Sequence, residues 1–398
     1  MKFFVAMRIY VMMICAVVLA ACGLEEMGTG LYAGEDGIWY GPSYGKNMSG
    51  TVYNVGVDYP AGYDWRADAE NGQVKCSLVL FADGIPVLKV PVGDRYEVSS
   101  DQSCHRVRNG QLYTDYTDGK TTVLKRDGKE IVRYDGAEEI LCFEVFNGRI
   151  HTLSRRKGSG GFVYRVEGNI VLERQNGNPF LHMTEHADSV RFCFSQVQKT
   201  AAGNEERYYE SVSGTIRQIG TASDSLKIWD IMMIDGHLHS LAEVSGKNPV
   251  LLHDGKADYA EYLTRQNVVS CSFCDSDSLC VNIRCRYSGS NTLTDLLWRG
   301  GNEWIMYRIG RTISAVHTDA DGTNAVINPS DGRDGMVFSG RTAHLIPHGY
   351  RVYSKDCMIR RDSILYVGLS SGTDAHPVIW KNGVLDTLKI NGPITCLR

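Results

Sequence analysis

The sequence predicts an all-β protein, a β-propeller of four-stranded blades. Three observations predict it. First, a short apolar run ending in one or two polar residues and a glycine recurs through the chain, at Gly84, Gly128, Gly168, Gly214, Gly255, Gly301, Gly340 and Gly383. A period in the low forties with one small β-unit per repeat is a propeller signature. Second, a tight turn precedes most of these glycines by about half a period: Asn109-Gly110, Asn147-Gly148, Asp188-Ser189, Asp235-Gly236, Asp277-Ser278, Asp321-Gly322 and Asp362-Ser363. Such pairs favour the left-handed dihedrals of two-residue hairpins, and alternating apolar residues follow them. Third, the chain ends in an isolated apolar strand, Ile394–Leu397, while the first unit lacks an opening strand.

Taken in order, the first unit reads as strand B at Thr51–Asp58, C at Leu78–Phe81 and D at Ile85–Val90. The third reads as A at Ile140–Phe146, B at Arg149–Leu153, C at Phe162–Val166 and D at Ile170–Glu173. The last reads as B at Ile364–Gly368, C at Val378–Trp380 and D at Val384–Leu388. The C-terminal strand then supplies the missing strand A of the first blade, which removes a free sheet edge. The glycine anchors count eight blades, or seven if the Met336–Gly340 unit is not one of them.

The N-terminus reads as a sorting signal rather than fold. Lys2 and Arg8 precede the apolar run Tyr10–Ala21, which is too short to span a membrane. It ends in Leu19-Ala20-Ala21-Cys22, which resembles the bacterial lipobox. The resemblance implies a signal peptide over 1–21 and a lipid-anchored cysteine, Cys22, with palmitate-type acyl chains as the membrane anchor. Residues 22–48 then form a glycine-rich tether and lead-in, and 49–398 a single propeller domain. Gly41-Pro42-Ser43-Tyr44-Gly45 matches the nucleophile-elbow spacing, but lies in this lead-in without the strand-to-helix turn that the chemistry needs.

Composition suits a soluble body on that anchor: 22% charged, 43% hydrophobic and a net charge of −4, with no basic stripe for nucleic acid. The A–B and C–D turns are short, whereas the B–C and D–A connections are long and varied. In a propeller these two sets lie on opposite faces, and binding groups concentrate on long loops held by a rigid scaffold. The candidate ligand-binding residues on that elaborated side are Tyr63, Trp65, Arg66, Arg155, Arg156, Arg286, Tyr287, Asp331, Arg333, Asp334 and His376. Aromatic faces with Arg and Asp side chains suit a glycan or a partner protein.

No catalytic set, cofactor or metal site is read from the sequence. Asp319-Ala320-Asp321-Gly322 resembles the start of a calcium loop, but lacks the later bidentate acid and sits where other units carry plain turns. His237 and His239 share a strand face and could begin a metal site, yet no third ligand is near in sequence. Cys271 and Cys274 with Cys280 and Cys285 could form a zinc set, but a spacing of three on a strand points side chains to opposite faces. The cysteines are expected to be mostly buried free thiols.

The lipobox, the acidic pair Glu25-Glu26 after it and the Trp380-Lys381-Asn382-Gly383 type of turn resemble the β-propeller lipoproteins of Bacteroidota. The resemblance implies a lipid-anchored protein of the cell envelope, at the outer membrane or on the cell surface, and the propeller is expected to be monomeric. The leading expectation is a non-catalytic binding lipoprotein. The alternatives are a glycosidase or lyase whose site is assembled over the propeller axis, and a scaffold subunit of an envelope complex.

Overall fold

The computed structural model describes residues 32–33, 37–41, 50–63, 76–92, 105–117, 120–135, 138–156, 158, 160–186, 188–201, 203–222, 226–234, 237–244, 250–254, 256–258, 267–274, 279–286, 293–299, 303–306, 313–319, 322–329, 334–340, 342–371 and 376–398. All regular elements among them are strands, in eight antiparallel meander sheets. These are the eight blades of a β-propeller. The seventh anchor, Met336–Gly340, is therefore a true blade: Met336–Ser339 pairs with Gly322–Ile327 on one side and Thr342–Leu345 on the other.

Contacts along the chain gather into two compact units, residues 1–99, 107–112 and 349–398 in one and residues 100–106 and 113–348 in the other. In the first unit, Ile394–Leu397 pairs antiparallel with Tyr53–Asp58 and so supplies strand A of the first sheet. Cys76–Ala82 and Ile85–Val92 follow as C and D. Two short strands of the lead-in, Trp39–Tyr40 and Tyr32–Ala33, extend this sheet beyond strand D. The last sheet splits its first strand into Tyr350–Arg351 and Met358–Arg361, both paired with Ile364–Ser371.

The second unit repeats one strand plan. Its third sheet runs Glu138–Phe146, Arg149–Arg156, Phe162–Val166 and Asn169–Arg174. Its fifth runs Leu226–Ile234, His237–Val244, Val250–His253 and Lys256–Asp258. Strand A skips one residue against B in the third, fifth, sixth and seventh sheets, at Leu141, Trp229, Val269 and Ser314. Strand D likewise skips one against C at Val87, Ile131, Val171 and Ile219 in the first four sheets. Each bulge adds local twist. Of the skipped strand D residues, Ile131 and Val171 are exposed and Val87 is buried.

The degenerate glycine turn has a physical rule. Asp83, Glu167, Ser213, Asp254 and Asn382 all hold positive φ just before a turn glycine or its equivalent position. In each, the main-chain N–H donates to a strand B carbonyl: Val52, Ile150, Val190, Leu238 and Leu365, at 2.8–3.3 Å. The N–H of that same strand B residue donates back to the turn side chain. The position thus needs a residue that tolerates left-handed backbone and carries a near acceptor, which several polar types satisfy.

Buried acids tie neighbouring sheets within the second unit. Asp230 Oδ2 accepts the Phe273 N–H at 3.0 Å and faces His182 Nε2 at 3.2 Å. Asp295, fully buried, accepts the Ile313 N–H at 2.8 Å and both Arg284 donors at 2.8 and 3.0 Å. Phe162, Tyr164, Phe192 and Phe194 fill the space between the third and fourth sheets, with adjoining ring centroids 4.9–6.3 Å apart. The nine described cysteines are all free and, apart from half-buried Cys274, buried. Burial pushes the Cys193 thiol up to about 12, which suits inert packing rather than reactivity.

Candidate functional site

In the first unit, the connection from the last sheet to the closing strand crosses the end of the first sheet's strand B. Gly56 and Gly392 permit this crossing. A Cβ on Gly56 would run into Ile390 Cδ1, and one on Gly392 into the Val57 carbonyl. Asn391 is then held on several sides. Its N–H donates to Asp58 Oδ1 at 3.0 Å, its carbonyl accepts from the Tyr59 N–H at 3.1 Å, and its Nδ2 donates to the Pro60 carbonyl at 3.1 Å. Asp58 keeps its other oxygen on Lys89 Nζ at 2.8 Å.

This frame sets two expected binding residues. Tyr63, turned back by its N–H on the Pro60 carbonyl, lies with its ring 5.3 Å from that of Tyr59, both half-buried. Burial raises the Tyr59 phenol, so it stays protonated at physiological pH. His376, exposed, donates from Nδ1 to the Ile390 carbonyl at 2.9 Å, which leaves Nε2 as the acceptor of the neutral ring. Tyr350 donates its hydroxyl to the His376 carbonyl at 3.1 Å. Tyr63 and His376 are thus anchored on the consecutive residues Asn391 and Ile390. Sequence reading named both, and placed Tyr59 on the same elaborated face, but missed Asn391 and the two glycines, whose roles depend on the crossing.

The remaining expected residues fare differently. Arg156 is engaged by carboxylates, Glu173 at 2.6 Å and Glu138 at 3.4 Å. Arg155 stands half-buried opposite Glu139 in the A–B register. Arg286 closes the second strand of the sixth sheet, exposed, and Asp334 is exposed before Met336–Ser339. Trp65, Arg66, Tyr287, Asp331 and Arg333 lie outside the described residues, as do Cys22, Asp321 and most of the Gly41–Gly45 motif.

On the fifth sheet, His237 and His239 do share a face, and the register brings His253 beside them. His253 pairs with His239, ring centroids 4.8 Å apart and nearly parallel, and its ring lies 4.9 Å from that of His237. Asp254 accepts from His237 Nδ1 at 2.9 Å. That hydrogen bond holds the Asp254 carboxyl below its ordinary range. The sequence signal for His253 beside this pair was the C-strand register, hidden by the unpatterned segment 245–249.

No protein-family model matches the chain, and no curated protein matches it. Solved structures show loose likenesses. The β-propeller domain of the Trilobed protease from Pyrococcus furiosus is 11% identical, with 75% of this chain and 94% of that one covered at a TM-score of 0.45. A structure described as the eukaryotic initiation factor is 8% identical, with 88% and 98% covered at 0.47. Pyrococcus horikoshii acylaminoacyl peptidase is 11% identical at 0.45, with 76% of this chain covered, and this chain spans only about half (54%) of that peptidase. The assignment of the fold rests on the eight sheets themselves.

Proposed function

We propose that this protein is a cell-envelope lipoprotein, anchored through Cys22, that binds a glycan through the long-loop edge of its propeller. The observation that carries the reading is the Tyr59–Tyr63 pair with His376, fixed on Asn391 and Ile390. Tyrosine rings offer an apolar face and a polar tip, which suits sugar rings. The main chain beneath them is hydrogen-bonded and crossed through glycines, so little ordering cost falls on binding. The lipobox and the acidic pair Glu25-Glu26 support the anchor and an outward location.

The test has two arms. Acyl labelling of the expressed chain should be lost in Cys22→Ser; labelling that persists would overturn the anchor. Retention on a panel of immobilised polysaccharides should identify a ligand whose affinity falls about tenfold in Tyr63→Ala and in His376→Ala, as removal of one stacking or hydrogen-bonding group predicts. No retention on any glycan, or unchanged affinity in both variants, would overturn the glycan reading. A protein recovered by the wild type and lost with Tyr63→Ala would assign the same surface to a partner protein instead.

A further inference from the structure

We infer that His237, His253 and Asp254 on the fifth sheet form a binding site for a divalent first-row transition ion of the zinc type. It lies at the regular turn edge of that sheet and uses none of the residues proposed for glycan binding. The three ligand atoms lie within 4.8 Å of one another. His237 Nδ1 and His253 Nε2 stand 2.9 and 3.8 Å from the same oxygen, Asp254 Oδ2. Zinc bonds of about 2.0–2.2 Å at a tetrahedral angle place neighbouring ligand atoms about 3.3–3.6 Å apart. The two separations to Asp254 bracket that value and the third falls within 4.8 Å, so an ion seats after shifts of up to about 1 Å, on the order of ordinary side-chain motion.

The surroundings are those of a ligand set rather than of a chance surface cluster. Asp254 Oδ1 is held by the Leu238 N–H at 2.9 Å, and this bond aims Oδ2 at the imidazoles. Hydrogen-bonded carboxylates of this kind orient their metal-facing oxygen. The buried His239 ring stacks on His253 and limits its rotation. The ligands themselves are exposed at 56%, 40% and 51%, which leaves a route in and an open fourth position for water. Two imidazoles and one carboxylate suit zinc, cobalt or nickel rather than calcium or magnesium. Binding at His237 Nδ1 moves the proton that this nitrogen donates to Asp254 onto Nε2 by exchange with solvent, so the neutral ring keeps one N–H and the ion takes the place between Nδ1 and Asp254.

The repeat supplies a comparison within the molecule. The turn bond to strand B recurs at Asp83, Glu167, Ser213 and Asn382. The strand B and strand C residues matching His237 and His253 are Thr51 and Ala82, Arg149 and Val166, Ser189 and Val212, and Ile364 and Lys381. None of those pairs offers a neutral metal-ligating side chain set, so the histidines are not demanded by the blade architecture.

Cobalt(II) titration of the chelator-treated, purified chain tests the site, with zinc displacement and with the variants His253→Gln and Asp254→Asn. Asn keeps the acceptor for Leu238, as Asn382 does for Leu365. The wild type should bind one equivalent with visible ligand-field bands and without thiolate charge-transfer absorption in the near ultraviolet. Both variants should bind at least tenfold more weakly while melting at the metal-free wild-type temperature. Absent or non-saturating bands, equal affinity in the variants, or a thiolate band that reports cysteine capture would each overturn the proposal.

Discussion

The third and fifth sheets use one backbone plan for opposite ends. His151 and His239 occupy the same place on strand B, two residues beyond the start, and each faces the last residue of strand C. In the third sheet that residue is Val166, and His151 is buried with Nδ1 2.8 Å from the Tyr164 hydroxyl. In the fifth it is His253, and the imidazoles line up towards solvent beside Asp254. The acids divide in the same way. Glu138 is buried among Arg165 at 2.7 Å, Ser154 at 2.6 Å and Arg156, so its charge is consumed within the sheet. Asp254 spends one oxygen on the main chain and keeps the other at the surface. Identical strand pairing therefore does not decide whether a polar cluster is structural; the residue across the register and its exposure do.

The largest break in this comparison is expected at Glu138. Burial alone would raise its carboxyl, but the Arg165 and Ser154 hydrogen bonds outweigh burial and hold it below the ordinary range. Glu138→Ala strands the buried Arg165 guanidinium, and removal of one partner from a buried pair costs about 3–5 kcal/mol. Chemical denaturation should show that loss, and Arg156→Ala, on the exposed side of the same network, should cost far less. Equal effects would mean that Glu138 is solvated in solution.

His151 gives the next effect. Burial lowers its pKa to about 4 from an ordinary value near 6.5. The unfolded chain therefore takes up a proton that the folded chain refuses as pH falls from about 6.5 to about 4. At about 1.4 kcal/mol per pH unit, about 3 kcal/mol of stability is present above that window and lost across it. His151→Phe should remove this part of the acid sensitivity, seen as a shallower fall of the unfolding free energy over that pH range. Gly168 in the third sheet follows. Its φ is +80° and an added Cβ would lie 2.7 Å from Val132 Cγ1. Gly168→Ala should cost about 1–2 kcal/mol by the same denaturation measurement, from left-handed strain and that clash.

What was legible in the sequence follows from the range of the forces involved. Turns are local, and the hairpin dipeptides place the strands closely: strand C of the third sheet spans Phe162–Val166 and the closing strand Ile394–Leu397, the bounds the pattern predicts. Strands lengthen by two or three residues at their loop ends, as at Arg149–Arg156, where pairing continues past the apolar alternation. The sites were less legible because they depend on register and crossing. His237 and His239 announce a shared face, but His253 joins them only once strands B and C are aligned. Tyr63 and His376 are far apart in the chain, and their common support at Ile390–Asn391 follows from closure of the first sheet. Arg156 looks like any exposed loop cation until Glu138 and Glu173 are seen beside it.

The smallest expected effect sharpens the comparison most, because it separates the two tasks of one residue. In the third sheet, Glu167 accepts the Ile150 N–H and is only a turn element. If Asp254 were the same, Asp254→Asn would be silent in every assay, and Asp254→Ala would lower the melting temperature slightly through loss of the Leu238 bond. If Asp254 is also a ligand, Asn should leave the metal-free melting temperature unchanged yet abolish the rise that zinc produces, since a ligand stabilises the state it binds. Glu167→Gln in the third sheet is the control and should leave the zinc-induced rise intact. Differential scanning fluorimetry of these variants with and without zinc reads both tasks at once: the Ala and Asn pair reports the turn, and the zinc-dependent shift reports the imidazole–carboxylate set that sets the fifth sheet apart.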